Sequence, residues 1–356
     1  MGNRSSRVRD RETKARPASQ DIGNSDGPEV SVQPEHTVLL LGPSGSGKST
    51  IMKQLKILYQ NGYTYEELLA FRPLIWKNLM ECTHALVEGL ERFHLEPSQP
   101  QNKESLRRLK EYVLSGDRNF RFDSTIAQDT YHVWTDGTIP TSWEHSPQVD
   151  LMDSATYFFK HARRIGQENY VPTNEDILRV RERISSKTEI RFTENQRLIY
   201  VLDVIGSRLQ STKWASLFGS VTSILFCASL SEYDEAPSGK DGQHGMKDSL
   251  ALFDSIVNSR WFSRTSIILL FTKLDIFRRK LPKVPMEKFY PDYTGGANVN
   301  SGAKYILWKY MQMNRARLCV YPQIVDATST TSVRSVFVAV EEAVRRTSID
   351  RVLELL

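Results

Sequence analysis

The chain has 356 residues, of which 40% are hydrophobic and 25% charged, and its formal net charge is +5. This length and composition predict a globular protein with room for two domains. The charge excess is too small to argue for nucleic acid, and no such partner is expected. The three cysteines have no metal-like spacing, which favours a reducing compartment without a disulfide framework. No apolar run approaches the roughly 18 residues of a membrane span.

Residues 1–35 are predicted to form a basic, lipidated arm followed by a linker. The first six residues fit the N-myristoylation pattern, with Gly2 as acceptor and Ser6 at the last position. Residues 1–20 carry six basic side chains against two acidic ones, which suits an anionic membrane surface. A charged tail without lipid is the alternative. Residues 17–35 are rich in Pro, Ser, Gly, Asp and Glu, as linkers are.

A glycine-rich segment follows the apolar residues 39–41 and precedes a helical pattern over residues 51–58. It fits G-x-x-x-x-G-K-[ST], a loop whose backbone N–H groups surround phosphate oxygens. Lys48 is predicted to reach the β- and γ-phosphates, and the Ser49 hydroxyl to ligate Mg²⁺. The predicted phosphate-binding residues are Gly42, Pro43, Ser44, Gly45, Ser46, Gly47, Lys48, Ser49 and Thr50.

Short apolar runs recur along the chain at the length of strands buried on both faces of a parallel sheet. They cover residues 37–41, 198–203, 224–228, 266–271 and 320–325. Amphipathic helical patterns at 248–257 and 333–344 lie between or after them. The alternation predicts an α/β fold with a doubly wound sheet.

Residues 62–174 interrupt this alternation, because only helical patterns stand out there. Leu68, Leu69, Ile75, Leu79, Leu86 and Leu90 form one long apolar stripe. Pro73 is expected to kink that helix. Shorter helices are predicted at 106–113 and 154–164. We therefore predict an all-helical domain inserted into the α/β domain.

Two strand ends carry further candidate residues. Asp203 ends the apolar run of 198–203, where a phosphate-loop protein places the aspartate that holds Mg²⁺ through water. Thr272, Lys273, Leu274 and Asp275 follow the run of 266–271 and approximate the guanine-reading motif N-K-x-D. The Asp275 carboxylate can accept from both donors of guanine, whereas adenine has no such pair; a helix N-cap is the alternative role. The Ala327 N–H is predicted to bond the guanine carbonyl.

The chain resembles the α subunit of heterotrimeric G proteins, as a divergent member, over nearly its whole length. The resemblance rests on the phosphate loop and on stretches whose order and spacing match that family. They cover residues 53–58, 151–155, 170–173, 176–181, 252–256, 261–269 and 290–293.

This resemblance implies a Ras-like domain of residues 36–61 and 175–356 with a helical domain of residues 62–174 inserted. It implies a GTPase that alternates between GDP and GTP and transmits signals from seven-helix receptors to an effector the sequence does not identify. It also implies a βγ dimer as partner and a peripheral position on the cytoplasmic face of the plasma membrane.

The resemblance also assigns residues by position. Asp153 and Ser154 approach the nucleotide from the helical domain, and Leu178, Arg179, Val180 and Arg181 lead into the first switch. Arg181 matches the arginine that neutralises charge on the transferring γ-phosphoryl group. The second switch falls on Asp203, Val204, Ile205, Gly206 and Ser207.

Three positions depart from the family pattern. The Mg²⁺-ligating switch threonine falls on Ile184, which has no side-chain oxygen; Ser185 or Ser186 could replace it only with a shift in register. The water-orienting glutamine falls on Ser207, which is too short. The glutamate of the phosphate loop falls on Gly45. These changes predict a GTP-binding switch with slow hydrolysis.

Two alternatives remain at this point. One is a non-hydrolysing GTP-binding scaffold on the same fold. The other is an unrelated phosphate-loop ATPase or kinase, against which Asp275 and the inserted helices argue.

Overall fold

The computed structural model describes residues 36–113, 122–139, 149, 151–182, 188–194, 197–203, 221–234, 245–263, 265–338 and 340. The described strands are β1 (His36–Leu41), β2 (Thr188–Glu194), β3 (Arg197–Asp203), β4 (Val221–Ser229), β5 (Ser266–Thr272) and β6 (Val320–Ile324). They form one sheet of six, in the spatial order β2-β3-β1-β4-β5-β6. β2 is antiparallel to β3, and every other pairing is parallel.

The five predicted strands are confirmed, with ends that shift by up to three residues. Continuous burial explains the prediction of β1 and β5, in which every residue is buried, whereas β6 has no fully buried residue. The remaining strand, β2, was not predicted. In it Ile190 and Phe192 are buried while Glu189 and Arg191 are exposed. This two-residue alternation is typical of an edge strand with one wet face, and a search for apolar runs misses it.

Helices cover both faces of the sheet, as a doubly wound fold requires. Leu39 of β1 belongs to one apolar cluster and its neighbour Leu40 to another, because successive side chains of a strand point to opposite faces. The helices of the α/β part are α1 (Lys48–Tyr59), α7 (Asn174–Arg179), α8 (Met246–Val257), α9 (Leu274–Lys280), α10 (Val299–Met313) and α11 (330–338).

The described part of the inserted segment contains helices and no strand, and it has an apolar cluster of its own. Leu79 and Leu86 pack there with Phe158 and Phe159, and all four are fully buried. The helical insertion is therefore confirmed as an architecture, whereas its exact boundaries stay a prediction. Its helices are α2 (Tyr65–Ala70), α3 (Arg72–Arg92), α4 (Pro100–Glu111), α5 (Ser124–Trp134) and α6 (Ala155–Ile165).

The predicted kink at Pro73 is wrong. The chain forms two helices here, and Pro73 lies in the first turn of α3. A proline is well tolerated at that place because the first N–H groups of a helix have no partner within it. The preceding helix α2 begins with a capping box between Thr64 and Glu67. Helix α5 was not predicted.

One buried carboxylate fixes the start of α7. Asp176 has no exposed surface, and its oxygens accept from Arg164 at 2.6 and 3.0 Å and from Tyr157 at 2.8 Å. It also closes a capping box with Thr173. Burial alone would raise the pKa of Asp176, but these hydrogen bonds and the Arg164 charge lower it to about 2. Asp176 therefore ties α7 to α6.

We expect this carboxylate to stabilise the fold above its unfolded pKa of about 3.9 and to lose that effect as the pH falls towards 2. Urea unfolding of the native chain and of Asp176→Asn at several pH values measures it. The difference in free energy of unfolding should shrink by about 2 kcal/mol over this range. A difference that stays constant with pH would contradict the role given to Asp176.

Candidate nucleotide-binding site

The glycine-rich loop lies between β1 and α1, as the motif predicted. Gly42 has φ +142°, and a Cβ there would lie 2.3 Å from the Cys227 carbonyl oxygen of β4. Only glycine therefore allows the loop to leave the sheet at this point. Helix α1 begins directly after the loop, and no side chain caps its N-terminus. Its free N–H groups and partial positive charge suit an anion.

Lys48 and Asp203 place opposite charges at the loop. The Lys48 Nζ donates to the carbonyls of Gly42 at 2.9 Å and Pro43 at 2.7 Å. Burial lowers the pKa of Lys48 and raises that of Asp203, and each charge partly offsets the shift of the other. Asp203 lies opposite Leu40 in the register of β3 and β1, which carries its carboxyl group to the loop.

The Asp203 carboxylate keeps one oxygen for another partner. Its Oδ1 is buried and accepts no hydrogen bond within the described ranges. Ser49, in the first turn of α1, adds a half-buried hydroxyl group. Oxygen ligands of this kind suit Mg²⁺, which is usually held by one or two protein groups together with phosphate. No cluster of three His, Cys, Asp or Glu side chains fit for a metal occurs in the part of the chain that is described.

The segment predicted to read the base is bonded to the phosphate loop. Thr272 is fully buried, and its hydroxyl donates to the Ser46 carbonyl at 2.8 Å. Lys273 follows with φ +57°, and α9 then begins at Leu274. Asp275 is exposed in the first turn of α9, where its carboxylate accepts from Arg279 at 3.0 Å.

Lys273 contacts carboxylates from two other parts of the chain. Its Nζ lies 2.8 Å from Asp153 Oδ2 and 3.1 Å from Glu232 Oε1. Burial alone would lower the pKa of Lys273, but the charges of Asp153 and Glu232 raise it. Sequence reasoning predicted Asp153 and Lys273 and missed Glu232. The sequence signal that could have identified Glu232 is its position shortly after β4.

Gly45 leaves room beside this cluster. A Cβ at position 45 would lie 3.7 Å from Glu232 Oε1 and 4.0 Å from Lys273 Nζ. The resemblance puts a glutamate here, and such a side chain would bring a third carboxylate towards Asp153 and Glu232. In this chain the carboxylate beside position 45 comes from Glu232. Burial raises the pKa of Glu232, and the charge of Lys273 partly offsets that rise.

Two further predicted segments reach the same edge of the sheet. The Gln54 side chain of α1 donates to the Ala327 carbonyl at 3.0 Å. Thr50 donates to the Leu178 carbonyl at 3.4 Å, which holds the last turn of α7 against α1. Ser154 occupies the N-cap position of α6 beside Asp153. Within the described ranges, no hydrogen bond or ion pair joins the exposed Arg181 side chain to the phosphate loop.

Several predicted residues lie outside the described residues. They are Gly2, Ile184, Ser185, Ser186, Val204, Ile205, Gly206 and Ser207.

The fold and this edge define a phosphate-loop nucleotide-binding protein with a helical insertion. The chain belongs to the family described as "G-alpha: G-protein alpha subunit", whose profile matches residues 12–344. The described residues contain no helix long and apolar enough to cross a membrane.

Relatives in several fungi agree with this assignment. The chain is 46% identical over 310 residues to the guanine nucleotide-binding protein alpha-3 subunit of Mycosarcoma maydis, which covers 87% of this chain and 88% of that one. It is 42% identical over 337 residues to the alpha-3 subunit of Neurospora crassa, at 94% and 95% coverage. It is 41% identical over 329 residues to the alpha-2 subunit of Saccharomyces cerevisiae, at 90% and 72% coverage.

The Thr272 hydroxyl should contribute measurably to stability, because its loss leaves the Ser46 carbonyl without that donor. We expect Thr272→Val, which keeps the shape of the side chain, to lower the free energy of unfolding by about 1–2 kcal/mol. Ser223→Ala is the matched control, since the buried Ser223 hydroxyl has no hydrogen-bond partner among the described residues. Equal losses in the two variants would contradict the role of Thr272.

Proposed function

We propose that the chain is a guanine-nucleotide switch that acts as the α subunit of a heterotrimeric G protein. The observation that carries the proposal is the hydrogen bond from Thr272 to Ser46, since it seats the base-reading segment against the phosphate loop. The relatives' names, which describe guanine nucleotide-binding subunits, support the same conclusion. The relatives' names do not favour the alternative of a non-hydrolysing scaffold.

The proposal gives each group of the candidate site a role. Backbone N–H groups of Gly42 to Thr50 and the Lys48 ammonium bind the phosphates. The Asp275 carboxylate reads the base, the Lys273 stem lies over it, and the Ala327 N–H meets the guanine carbonyl. Asp153 and Ser154 border the nucleotide from the helical segment.

Ser49 and Asp203 would hold Mg²⁺ in this proposal. The buried Asp203 Oδ1, which accepts no hydrogen bond within the described ranges, and the hydroxyl chemistry of Ser49 fit a hard cation. The ion, when bound, neutralises phosphate charge.

Hydrolysis of GTP to GDP and phosphate is proposed to be slow. Arg181 supplies positive charge for the γ-phosphoryl oxygens in the transition state. Ser207 is too short to orient the attacking water, Ile184 offers no oxygen, and Gly45 cannot pair with Arg181.

Restoring the longer side chain tests this proposal. We expect Ser207→Gln to hydrolyse preloaded GTP about 10-fold faster than the native chain in a single turnover, because an oriented water reacts more readily. Ser207→Asn is the control, since its amide is one methylene shorter and should accelerate the reaction less.

The same time course of bound GTP reports selectivity. Excess ATP should not displace GTP, and ATP that competes as well as GTP would contradict base reading by Asp275. If Ser207→Gln is no faster than the native chain, Ser207 does not limit the rate.

The proposed partners are a G-protein βγ dimer and a seven-helix receptor, with an effector that the chain does not identify. We also propose that a myristoyl group on Gly2 and the basic residues of the arm hold the protein on the inner membrane surface.

Replacing the acceptor tests membrane attachment. We expect Gly2→Ala to leave the membrane fraction of lysed cells almost completely, because one acyl chain and a basic cluster are each too weak alone. Asn3→Ala, beside the acceptor, is the control and should stay bound. If Gly2→Ala remains fully membrane-bound, the myristoyl anchor is not what holds the chain.

A further inference from the structure

The side chain of Asn78 pairs with both backbone groups of Arg181. The Arg181 N–H donates to Asn78 Oδ1 at 2.7 Å, and Asn78 Nδ2 donates to the Arg181 carbonyl at 3.2 Å. Asn78 lies on α3 of the helical insertion and is 1% exposed. A buried amide therefore fixes the backbone of an exposed residue 103 positions away in sequence.

Lys53 holds the same segment from the opposite side. Its Nζ donates to the carbonyls of Ile177 and Val180, at 3.1 Å each. Lys53 belongs to α1 and is buried, and its ammonium lies 5.6 Å from the centre of the Phe71 ring. The backbone from 177 to 181 is thus fixed by both the α/β part and the helical part.

The chemistry of the pairing is specific to an amide. Asparagine offers one acceptor and one donor on the same planar group, so it satisfies both the N–H and the carbonyl of a single residue. Alanine offers neither, and aspartate offers acceptors alone. Because the pair is largely withdrawn from water, losing it leaves backbone groups without their partner and frees the Arg181 backbone to move.

We propose that Asn78 is a positioning residue for Arg181, which it holds so that the guanidinium meets the γ-phosphate. This inference rests on the proposed function, because that function gives Arg181 its role. The helical insertion then takes part in hydrolysis through the backbone of the arginine, without touching the nucleotide at this point.

The test is a double-mutant cycle on hydrolysis of preloaded GTP in a single turnover. The variants are Asn78→Ala, Arg181→Ala and the pair, each made in the native chain and in Ser207→Gln. Thr83→Val is the matched control. Thr83 is also buried on α3, and among the described residues its hydroxyl bonds to Leu79 and Thr130, both in the helical part. GDP affinity and thermal unfolding are measured on every variant.

We expect Asn78→Ala to slow hydrolysis about 10-fold or more, since a misplacement of about 1 Å can cost this much. GDP affinity should change less than about twofold, because GDP has no γ-phosphate. In the Arg181→Ala background, Asn78→Ala should have no further effect. Asn78→Ser, which keeps a polar group at this buried position without adding a charge, should lose less than Asn78→Ala, and it replaces that variant if alanine unfolds the chain.

Three results would overturn the inference. The first is a loss of hydrolysis rate that is not specific to the pairing with Arg181. Asn78→Ala would then slow hydrolysis equally with and without Arg181, or Thr83→Val would slow it as much as Asn78→Ala does. Either result makes the effect one of general folding. The second is an unchanged rate in Asn78→Ala while Arg181→Ala is slow. The third is a chain that binds GTP selectively but shows no rate that depends on Arg181, which removes the role of Arg181 and leaves nucleotide binding standing. Failure to bind GTP at all would instead defeat the proposed function.

Discussion

The parallel register of the sheet is the constraint on which the candidate site depends. Five of the six described strands run in one direction, so their carboxyl ends meet at one edge. The chain leaves β1 there as the phosphate loop, β3 ends there in Asp203, and β5 leads there into Lys273. Ligands of open α/β sheets bind at such an edge, because loops from several strands converge there. The topology of the sheet therefore brings the candidate site residues to one edge, independently of any single side-chain contact.

Much of this fold was predictable, because its signals are local. Fully buried strands read as apolar runs, and the phosphate loop carries its own motif between a strand and a helix. The predictions that failed depended on tertiary structure, about which a local sequence pattern holds no information. Strand β2 alternates because one face of an edge strand is wet, and a proline starts α3 because the preceding helix had already ended at Ala70. Both features depend on tertiary structure, so a count of apolar residues does not predict them.

The residues of the candidate site also divide into those that local motifs identified and those that they missed. Motifs identified Lys48, Asp203 and Thr272, whose roles depend on neighbours close in sequence or on strand ends. The motifs did not identify Glu232 and Asn78. Glu232 contacts a residue 41 positions away, and Asn78 contacts one 103 positions away. A carboxylate after a strand and an asparagine within a helix are common, and neither has a distinctive spacing. Only the folded arrangement shows that the first contacts Lys273 and that the second contacts the Arg181 backbone.

The position of Lys273 connects base binding to the contact with the helical insertion. Its ammonium contacts Asp153, which lies just before the N-cap of α6 in the helical insertion, while its stem is proposed to cover the base. Thermodynamic linkage is reciprocal: if a bound base strengthens the contact with Asp153, then that contact strengthens base binding by the same factor. Under that condition, pulling the helical part away from Lys273 would weaken base binding, and a bound base would resist the pull to an equal degree. One lysine would in this way couple the affinity for a bound nucleotide to the separation of the helical part from the α/β part.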